Sequence, residues 1–279
     1  MKFSAVLATA VLSASAVLAA PGTAARRARN AEKIAKRASG VRSSKPMIPA
    51  NFTGQVEGPK DLQADYSTNW AGAVLIGSGY KGVSGEFTIP DPSLPFGSSS
   101  GGLHSASAWV GIDGDTCETA ILQTGVDFNN ENGQVSFDAW YEWYPDYSYD
   151  FSGIGFSVGD KVRVSIDATS TRAGVATVEN LSKGTKVSHT FSGESDALCE
   201  TNAEWIVEDF TEISGGSESL VPLVDFGTVT FTDAYATTSG GTVGLSGATV
   251  IDMINEEGTS VVAATTIEGS NSVAVTYTG

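Results

Sequence analysis

The 279-residue sequence is poor in histidine and cysteine, which many hydrolase and metal sites use. It has two histidines and two cysteines, too few and too scattered to form a zinc ligand set. It has no Asp-Thr-Gly or Asp-Ser-Gly motif, which pepsin-like enzymes need twice, and Asp115-Thr116-Cys117 is the nearest approach. Helical periodicity is also missing, apart from a short turn expected near residues 209–213. These gaps exclude several hydrolase classes and favour an all-β fold.

Long apolar runs are absent after residue 20, so no membrane-spanning segment is expected. The first 20 residues contain a lone Lys2 and an apolar run from Ala5 to Leu18, and they end in the small residues Ala19 and Ala20. This is the pattern of a secretory signal peptide. We therefore expect a secreted, extracellular protein that makes no membrane contact.

Basic residues are scarce and unevenly distributed. The chain has 16 Lys/Arg and 32 Asp/Glu; residues 1–60 hold 10 of the bases and 2 of the acids, which leaves 6 and 30 for the rest. This order predicts a signal peptide (1–20), a basic propeptide (21–60, with an end that could reach about residue 66) and a mature domain (61–279). A disordered basic tail is the alternative for residues 21–60. A domain with this excess of acids is not expected to bind nucleic acid. A cationic propeptide, in contrast, is expected to bind the acidic domain and inhibit it.

The sequence after residue 60 consists of short runs rich in Val, Ile, Thr and aromatic residues, separated by Gly, Ser, Asn and Asp. This pattern predicts one all-β domain, an antiparallel two-sheet β-sandwich without internal repeats. The expected strands are Trp70–Ile76, Val83–Ile89, Ser107–Ile112, Ala120–Phe128, Val135–Tyr144, Lys161–Thr169, Val175–Asn180, Lys186–Phe191 and Asn202–Phe210, with four more between Val224 and Thr278.

Strand alternation predicts a face that mixes carboxylates with large aromatic side chains. In the strand predicted at 135–144, that face carries Asp138, Trp140, Glu142 and Tyr144. Burying several acids is costly unless they are protonated or hydrogen-bonded, so a wet aromatic groove for an extended ligand explains the face better than a core does. An aromatic cluster with surface acids is the simpler alternative. The same alternation extends the face along two neighbouring predicted strands, through Trp109, Gly111 and Asp113 and through Ile121, Gln123, Gly125 and Asp127.

Three longer motifs resemble those of the glutamic peptidases, or eqolisins, which are secreted acid endopeptidases that use a Glu and a Gln. The motifs are Ala120–Gly125, Asp138–Pro145 and Asn202–Phe210, and the resemblance runs from about residue 67 to the C-terminus. It implies that Gln123 and Glu208 form a catalytic dyad. Glu204 lies on the same strand face as Glu208, and the alignment of the motif favours Glu208. The resemblance also implies seven residues that bind substrate or hold the dyad: Trp70, Trp109, Asp113, Asp127, Trp140, Glu142 and Tyr144. Strand alternation adds Asp138 to the residues expected to bind substrate.

The same resemblance implies a fold of two long, bent sheets of the concanavalin-like jelly-roll type, with the active site on a concave face. Glu208 is expected to activate a water, while Gln123 stabilises the tetrahedral oxyanion. This chemistry needs no metal ion or cofactor. The expected partners are protein or peptide substrates and the chain's own propeptide, and the expected oligomeric state is a monomer.

Two covalent modifications are also expected. Cys117 and Cys199 form an even pair in a secreted chain, which predicts a disulfide; family members join the corresponding positions, tying the Gln123 region to the Glu208 region. Asn180-Leu181-Ser182 is an N-glycosylation sequon that would remain in the mature protein.

Rival motifs are weaker. Residues 97–101 satisfy G-x-S-x-G around Ser99, but no predicted helix follows them, so a nucleophilic serine is not expected. Residues 77–82 satisfy G-x-G-x-x-G, but a predicted strand follows them instead of a helix. They are therefore predicted to form a hairpin turn. A β-sandwich glycosidase or carbohydrate-binding protein is the main alternative function. A secreted binding domain without catalytic activity is a third.

Overall fold

The structure, a computed structural model, describes residues 41–54, 64–98 and 102–279. The predicted signal peptide, residues 21–40 and 55–60 of the predicted propeptide, and Ser99 lie outside the described residues. Throughout the described ranges the regular elements are strands, and no helix there is long and apolar enough to span a membrane.

Nineteen strands are formed within the described residues. In chain order they are β1 (Val41–Ser43), β2 (Asp65–Ser67), β3 (Trp70–Ile76), β4 (Tyr80–Thr88), β5 (Leu103–Ile112), β6 (Ile121–Glu131), β7 (Gln134–Tyr144), β8 (Tyr149–Asp150), β9 (Lys161–Ser170), β10 (Ala173–Asn180), β11 (Thr185–Ser192), β12 (Asn202–Glu208), β13 (Thr211–Ser214), β14 (Ser217–Leu220), β15 (Thr228–Thr238), β16 (Gly241–Val243), β17 (Thr249–Ile254), β18 (Val261–Gly269) and β19 (Ser272–Tyr277).

Sixteen of the strands form one continuous ladder that folds over into two packed layers. One layer has the order β19-β18-β17-β3-β12-β5-β6-β7-β8, and the other has β11-β10-β9-β4. The first part of β15 pairs with β19 and the second part pairs with β4, with a register shift between Thr232 and Tyr235, so this strand joins the two layers. Every pairing is antiparallel except that of β2 with β17. The predicted two-sheet antiparallel sandwich is therefore confirmed.

The hydrophobic core lies between the two layers. It takes one face of each long strand, for example Ala139 and Trp143 from β7 and Trp205 and Val207 from β12. A second, smaller cluster lies on the opposite face of the first layer and is built around Trp70, Trp109, Trp140 and Ile206. Because alternate residues of a strand point to opposite faces, the same strands that fill the core also furnish the aromatic floor of a cleft.

Two local expectations were wrong. Residues 77–82 do not form a hairpin turn, because β3 and β4 belong to different layers and pair with different strands. Gly79, with a φ of 76°, lies in this link between the layers. Residues 209–213 do not form a helical turn either, because β13 begins at Thr211 and pairs with β1 and β14.

Candidate active site

The floor of the cleft is formed by the strands β3, β12, β5, β6 and β7, which lie side by side in the first layer. On β6, Gln123 lies opposite Glu142 of β7 and Gly111 of β5. On β12, Glu208 lies opposite Trp70 of β3 and Ser107 of β5. These five strands therefore bring residues that are distant in sequence onto one face. Gln123, Glu142 and Glu208 are all fully buried.

The chain's own residues 41–50 lie across this floor. Val41–Ser43 form β1 and pair antiparallel with β13, so the segment enters as an added strand. Farther along, the amide of Met47 donates to the carbonyl of Gly114 (3.0 Å), and the amide of Ala50 donates to the carbonyl of Tyr66 (2.9 Å). Backbone hydrogen bonds thus hold an extended peptide along the cleft.

One peptide bond of this segment lies between Gln123 and Glu208. Gln123 Nε2 donates to the carbonyl oxygen of Ser44 (3.1 Å), and the backbone amide of Lys45 donates to Glu208 Oε1 (3.2 Å). The carbonyl and the amide are the two halves of the Ser44–Lys45 bond. The predicted dyad therefore contacts a single peptide group, the amide of Gln123 at its oxygen and the carboxyl of Glu208 at its nitrogen.

Aromatic side chains fix the position of Glu208. Trp109 Nε1 donates to Glu208 Oε2 at 3.0 Å, and the Trp70 ring packs edge-on against Trp109 with 4.9 Å between ring centroids. Trp140 Nε1 donates to the hydroxyl of Ser107, which lies opposite Glu208 in the strand register. The carboxyl is thus held by an indole in an apolar setting, where a hydrogen bond is stronger than in water.

The side chain of Arg42 occupies an acidic, aromatic recess beside Glu142. Its Nε lies 2.8 Å from Asp127 Oδ2 and its Nη1 lies 3.8 Å from Glu142 Oε2. The guanidinium carbon lies 3.8 Å from the centroid of the Trp140 ring and 4.4 Å from that of Phe210. Arginine suits such a place because its flat cation can pair with carboxylates while it stacks on rings.

Burial raises the pKa of the acids on the cleft floor. It is the largest cause at Glu208, whose pKa is raised to about 7 although Arg42 opposes the shift. The pKa of Asp127 is raised to about 6 for the same reason, again against Arg42. At Glu142 burial raises the pKa well above the ordinary value, and the charge of Glu208 adds to the shift. These acids therefore hold protons at a pH where surface carboxylates are ionised.

Known proteins resemble this chain over most of its length. Residues 68–277 match the sequence profile of the peptidase A4 family. Aspergillopepsin-2 of Aspergillus niger is 53% identical over 99% of this chain and 100% of its own length, and scytalidopepsin B of Scytalidium lignicola is 45% identical over 91% and 92%. The crystal structure of scytalido-glutamic peptidase with a transition state analog inhibitor is 45% identical, covers 76% of this chain and 98% of that one, and superimposes with a TM-score of 0.68.

The chain belongs to the peptidase A4 family. The glutamic peptidase resemblance of the three sequence motifs is thereby confirmed, and so is the fold that it implied. The glycosidase alternative is not favoured by the relatives. Among the described residues, the acids of the cleft also contact a peptide segment, which is the ligand expected of a peptidase.

In this member of the family, Asp113 binds the loop that precedes β12. Its carboxylate accepts five hydrogen bonds from residues 199–202, four from backbone amides and one from the hydroxyl of Thr201. The disulfide between Cys117 and Cys199 joins the same regions, with Cα atoms 6.3 Å apart, and this pairing is confirmed. Asp113 therefore fixes the loop that leads into β12, and with it the strand that carries Glu208.

Three other predicted or alternative residues have no hydrogen bond to the Ser44–Lys45 peptide group within the described part of the chain. Asp138 lies at the exposed end of the floor, where it accepts a hydrogen bond from Asn129 (3.0 Å). Tyr144 is half-buried against the smaller aromatic cluster. Glu204 is fully buried beside Gly111, and neither carboxyl oxygen has a hydrogen-bond partner within the described part of the chain. Of the two glutamates on β12, only Glu208 reaches the bound segment.

Sequence reasoning missed several residues that contact the segment. Asn69 Oδ1 accepts from the amide of Ile48 (2.8 Å), and Asn69 Nδ2 donates to the carbonyl of Pro46 (3.2 Å). Phe210 stacks on Arg42, as described above. Asn69 directly precedes Trp70, a predicted cleft residue, and that position was the signal that could have identified it.

The predicted N-glycosylation at Asn180 disagrees with the fold. Its side chain is fully buried, and Nδ2 donates to the carbonyl of Gly155 (3.0 Å) and to Asp160 Oδ2 (2.9 Å). A glycan attached to that nitrogen would have to replace both hydrogen bonds and pass through packed protein. In the folded domain, Asn180 thus has a structural role as a hydrogen-bond donor to Gly155 and Asp160.

Proposed function

We propose that this chain is the precursor of a secreted acid endopeptidase in which Glu208 and Gln123 carry out peptide-bond hydrolysis. The observation that supports this most directly is the placement of the Ser44–Lys45 peptide group between the two side chains. A polypeptide substrate bound in the same way would present its scissile carbonyl to Gln123 and its leaving nitrogen to Glu208.

In this proposal Gln123 acts on the carbonyl oxygen. Its amide N–H₂ can donate to that oxygen and continue to do so as the oxygen becomes negatively charged in the tetrahedral intermediate. Gln123 Oε1 is buried and has no hydrogen-bond partner among the described residues, so it can accept a hydrogen bond from the attacking water. A neutral amide suits both tasks because it neither repels nor neutralises the neighbouring acids.

Glu208 acts as the proton carrier. Its carboxylate takes a proton from the water that attacks the carbonyl carbon, then gives that proton to the leaving nitrogen. The hydrogen bond from Trp109 holds the carboxyl in place for both steps. Burial is the largest cause of its raised pKa, so the water that must enter beside the bound peptide for hydrolysis also makes ionisation of this carboxyl easier.

Peptides are the proposed substrates, and the chain's own segment is the proposed inhibitor. A related protein, 42% identical with a TM-score of 0.66, has been solved in a complex with the tripeptide Ala-Ile-His. In this chain the segment 41–50 occupies the cleft as an extended peptide. While it stays bound, no external peptide can reach Glu208. Secretion is supported by the apolar run of the first 20 residues and by the disulfide.

The proposal is tested by incubating the processed protein with denatured protein and with polysaccharides between about pH 2 and 5. We expect cleavage of the protein alone, unchanged by pepstatin, chelators and serine or thiol reagents, because the proposed dyad uses none of their targets. A Glu208→Gln variant prepared in parallel controls for contaminating proteases. Inhibition by a chelator or a serine reagent, or equal activity in the variant, would refute the proposal.

A further inference from the structure

The segment in the cleft is bound as a substrate would be, with an intact peptide bond at the reacting groups. Gln123 contacts the carbonyl of Ser44, and Glu208 contacts the amide that follows it. An inhibitory segment can escape cleavage if it runs through the cleft in the reverse direction. It can also escape if none of its peptide bonds lies at the catalytic side chains. Here both contacts fall on one bond.

Contacts on the N-terminal side fix this register. Glu142 accepts hydrogen bonds from the Ser43 hydroxyl (3.1 Å) and from the Ser44 amide (3.0 Å). Two residues before Ser44, Arg42 is anchored by Asp127 and by the rings of Trp140 and Phe210. A shift of the chain by one residue would remove the guanidinium from its recess and break both hydrogen bonds to Glu142.

Contacts on the C-terminal side oppose the same shift. Asn69 binds the carbonyl of Pro46 and the amide of Ile48, and the amide of Met47 donates to Gly114. The Lys45 side chain forms an ion pair with Glu218. The bond between residues 44 and 45 is therefore held from both directions, rather than placed by a single contact.

We propose that Ser44–Lys45 is a processing site of this chain, cut in the chain's own cleft as the first step of its activation. This inference depends on the proposed function. Water supplies its hydroxyl to the carbonyl carbon of Ser44, the C–N bond breaks, and the second hydrogen of the water goes to the nitrogen of Lys45. The products are a Ser44 carboxyl terminus and a Lys45 amino terminus, with no change of oxidation state and no other reactant.

The cut also explains how the segment can leave. The new carboxyl group of Ser44 lies between Glu142 and Glu208, so it adds a like charge to an acidic site whenever it ionises. Residues 41–44 then depend on the β1–β13 pairing and on Arg42, while residues 45–54 depend on Asn69 and their other backbone contacts. The two parts are then no longer joined to each other, and residues 45–54 stay attached to the domain only through the chain that follows them. Each part binds without the contacts of the other and dissociates more readily than the uncut segment.

The test uses the purified full-length precursor, acidified to about pH 4 and sampled over time by intact-mass and N-terminal analysis. We expect Lys45 to be the first new N-terminus, to form at a rate independent of protein concentration, and to be absent from a Glu208→Gln precursor. In Lys45→Pro, which lacks the amide hydrogen that faces Glu208, this cut should be lost and activation delayed at least about 10-fold. The matched variant Lys45→Arg keeps the amide and the charge and should be cut normally.

A first cut elsewhere, a rate that rises with protein concentration, or activation of Lys45→Pro at the normal rate would overturn the inference. If Lys45→Pro is not secreted, the wild-type and Lys45→Arg time courses decide. Denatured protein added to the fully processed sample separates the two proposals. If it is hydrolysed while residue 45 never becomes an N-terminus, the processing site alone is wrong; if it is not hydrolysed at all, the proposed function is wrong.

Discussion

Glu204 and Glu208 lie four residues apart on one strand, and the structure shows that their surroundings differ. Both are fully buried on one face of β12, and burial raises the pKa of both. Glu208 has an indole donor and a peptide amide as partners, whereas Glu204 lies near Asp113 and Asp115, whose charges raise its pKa further. Because Glu204 has two acids nearby and makes no hydrogen bond to the described segment 41–50, it is poorly placed to act as the general base.

We therefore expect Glu208→Gln and Gln123→Ala each to lower kcat by about 10²-fold or more, since a general base and an oxyanion donor each typically contribute that much. Glu204→Gln is the matched control, because an uncharged amide replaces a carboxyl that is already protonated. Its kcat should stay within a few-fold of the wild type, and circular dichroism should show that all three proteins are folded. A normal kcat for Glu208→Gln together with loss in Glu204→Gln would assign the base to the other glutamate.

Arg42 should account for much of the affinity of the segment. A synthetic peptide of residues 41–54 should inhibit the processed enzyme, and Arg42→Ala in that peptide should raise the inhibition constant roughly 10- to 100-fold, because a cation stacked on rings and paired with acids contributes a few kcal/mol. Arg42→Lys should fall between the two, since it keeps the charge but loses the flat guanidinium. Equal inhibition by the wild-type and Arg42→Ala peptides would show that the recess does not contribute to binding.

At the scale of elements, the long strands and their faces could be predicted from sequence alone. The expected strand Trp70–Ile76 is β3, and the alternation in residues 138–144 correctly separates the cleft residues Trp140 and Glu142 from the core residues Ala139 and Trp143. Such predictions succeed because a two-residue period is a local property, and each long strand repeats it several times.

The short strands and the occupant of the cleft could not be predicted in this way. Val41–Ser43 form a strand by pairing with Thr211–Ser214, across more than 160 residues of chain. Likewise, nothing local in the sequence around Arg42 indicates Asp127 or Phe210 as its neighbours. Charge distribution predicted that a basic segment would bind the acidic domain, but the bond that it presents to Glu208 depends on tertiary contacts.

The loop before β12 depends on the carboxylate of Asp113, which leads to a stability prediction. Asp113→Asn tolerates the local φ of 68° but turns an amide group toward two of the backbone donors, at Cys199 and Glu200. Leaving buried donors unpaired should lower the free energy of unfolding by roughly 2–4 kcal/mol. Asp115→Asn, two residues away and partly exposed, should change it little. Urea unfolding of both variants measures the difference, and equal stabilities would mean that the loop is fixed by the disulfide alone.

For the whole molecule, the excess of acids has a structural consequence beyond the net charge of −16. Several carboxyl groups are buried with a raised pKa, among them Glu142, Glu204 and Asp209, and burial is the largest cause in each. Two acids behave in the opposite way: the pKa values of Glu86 and Asp160 are lowered by neighbouring basic side chains. The protein therefore has more buried acids that favour the protonated form than paired acids that favour the charged form.

This balance predicts that the folded chain is most stable in acid. A carboxyl whose pKa is raised on folding contributes its full stabilisation below its ordinary value, near 4, and loses it as the pH rises through the folded value. For Asp127 and Glu208 that loss extends to about pH 6 and about pH 7. Each unit of raised pKa corresponds to about 1.4 kcal/mol, so a few such groups outweigh the opposite contribution of Glu86 and Asp160.

Thermal melts of the full-length Gln123→Ala precursor, which should not digest itself, test this at pH 3, 5 and 7. We expect the melting temperature to fall between pH 5 and 7, where the buried acids ionise. Adding Glu204→Gln removes one of these titrations without touching the bound segment, so the fall should become smaller in the double variant. A melting temperature that rises steadily to pH 7 would mean that the paired acids dominate. An unchanged fall in the double variant would mean that folding does not raise the pKa of Glu204, so that other buried acids, beginning with Asp127 and Glu208, set the pH dependence of the fold.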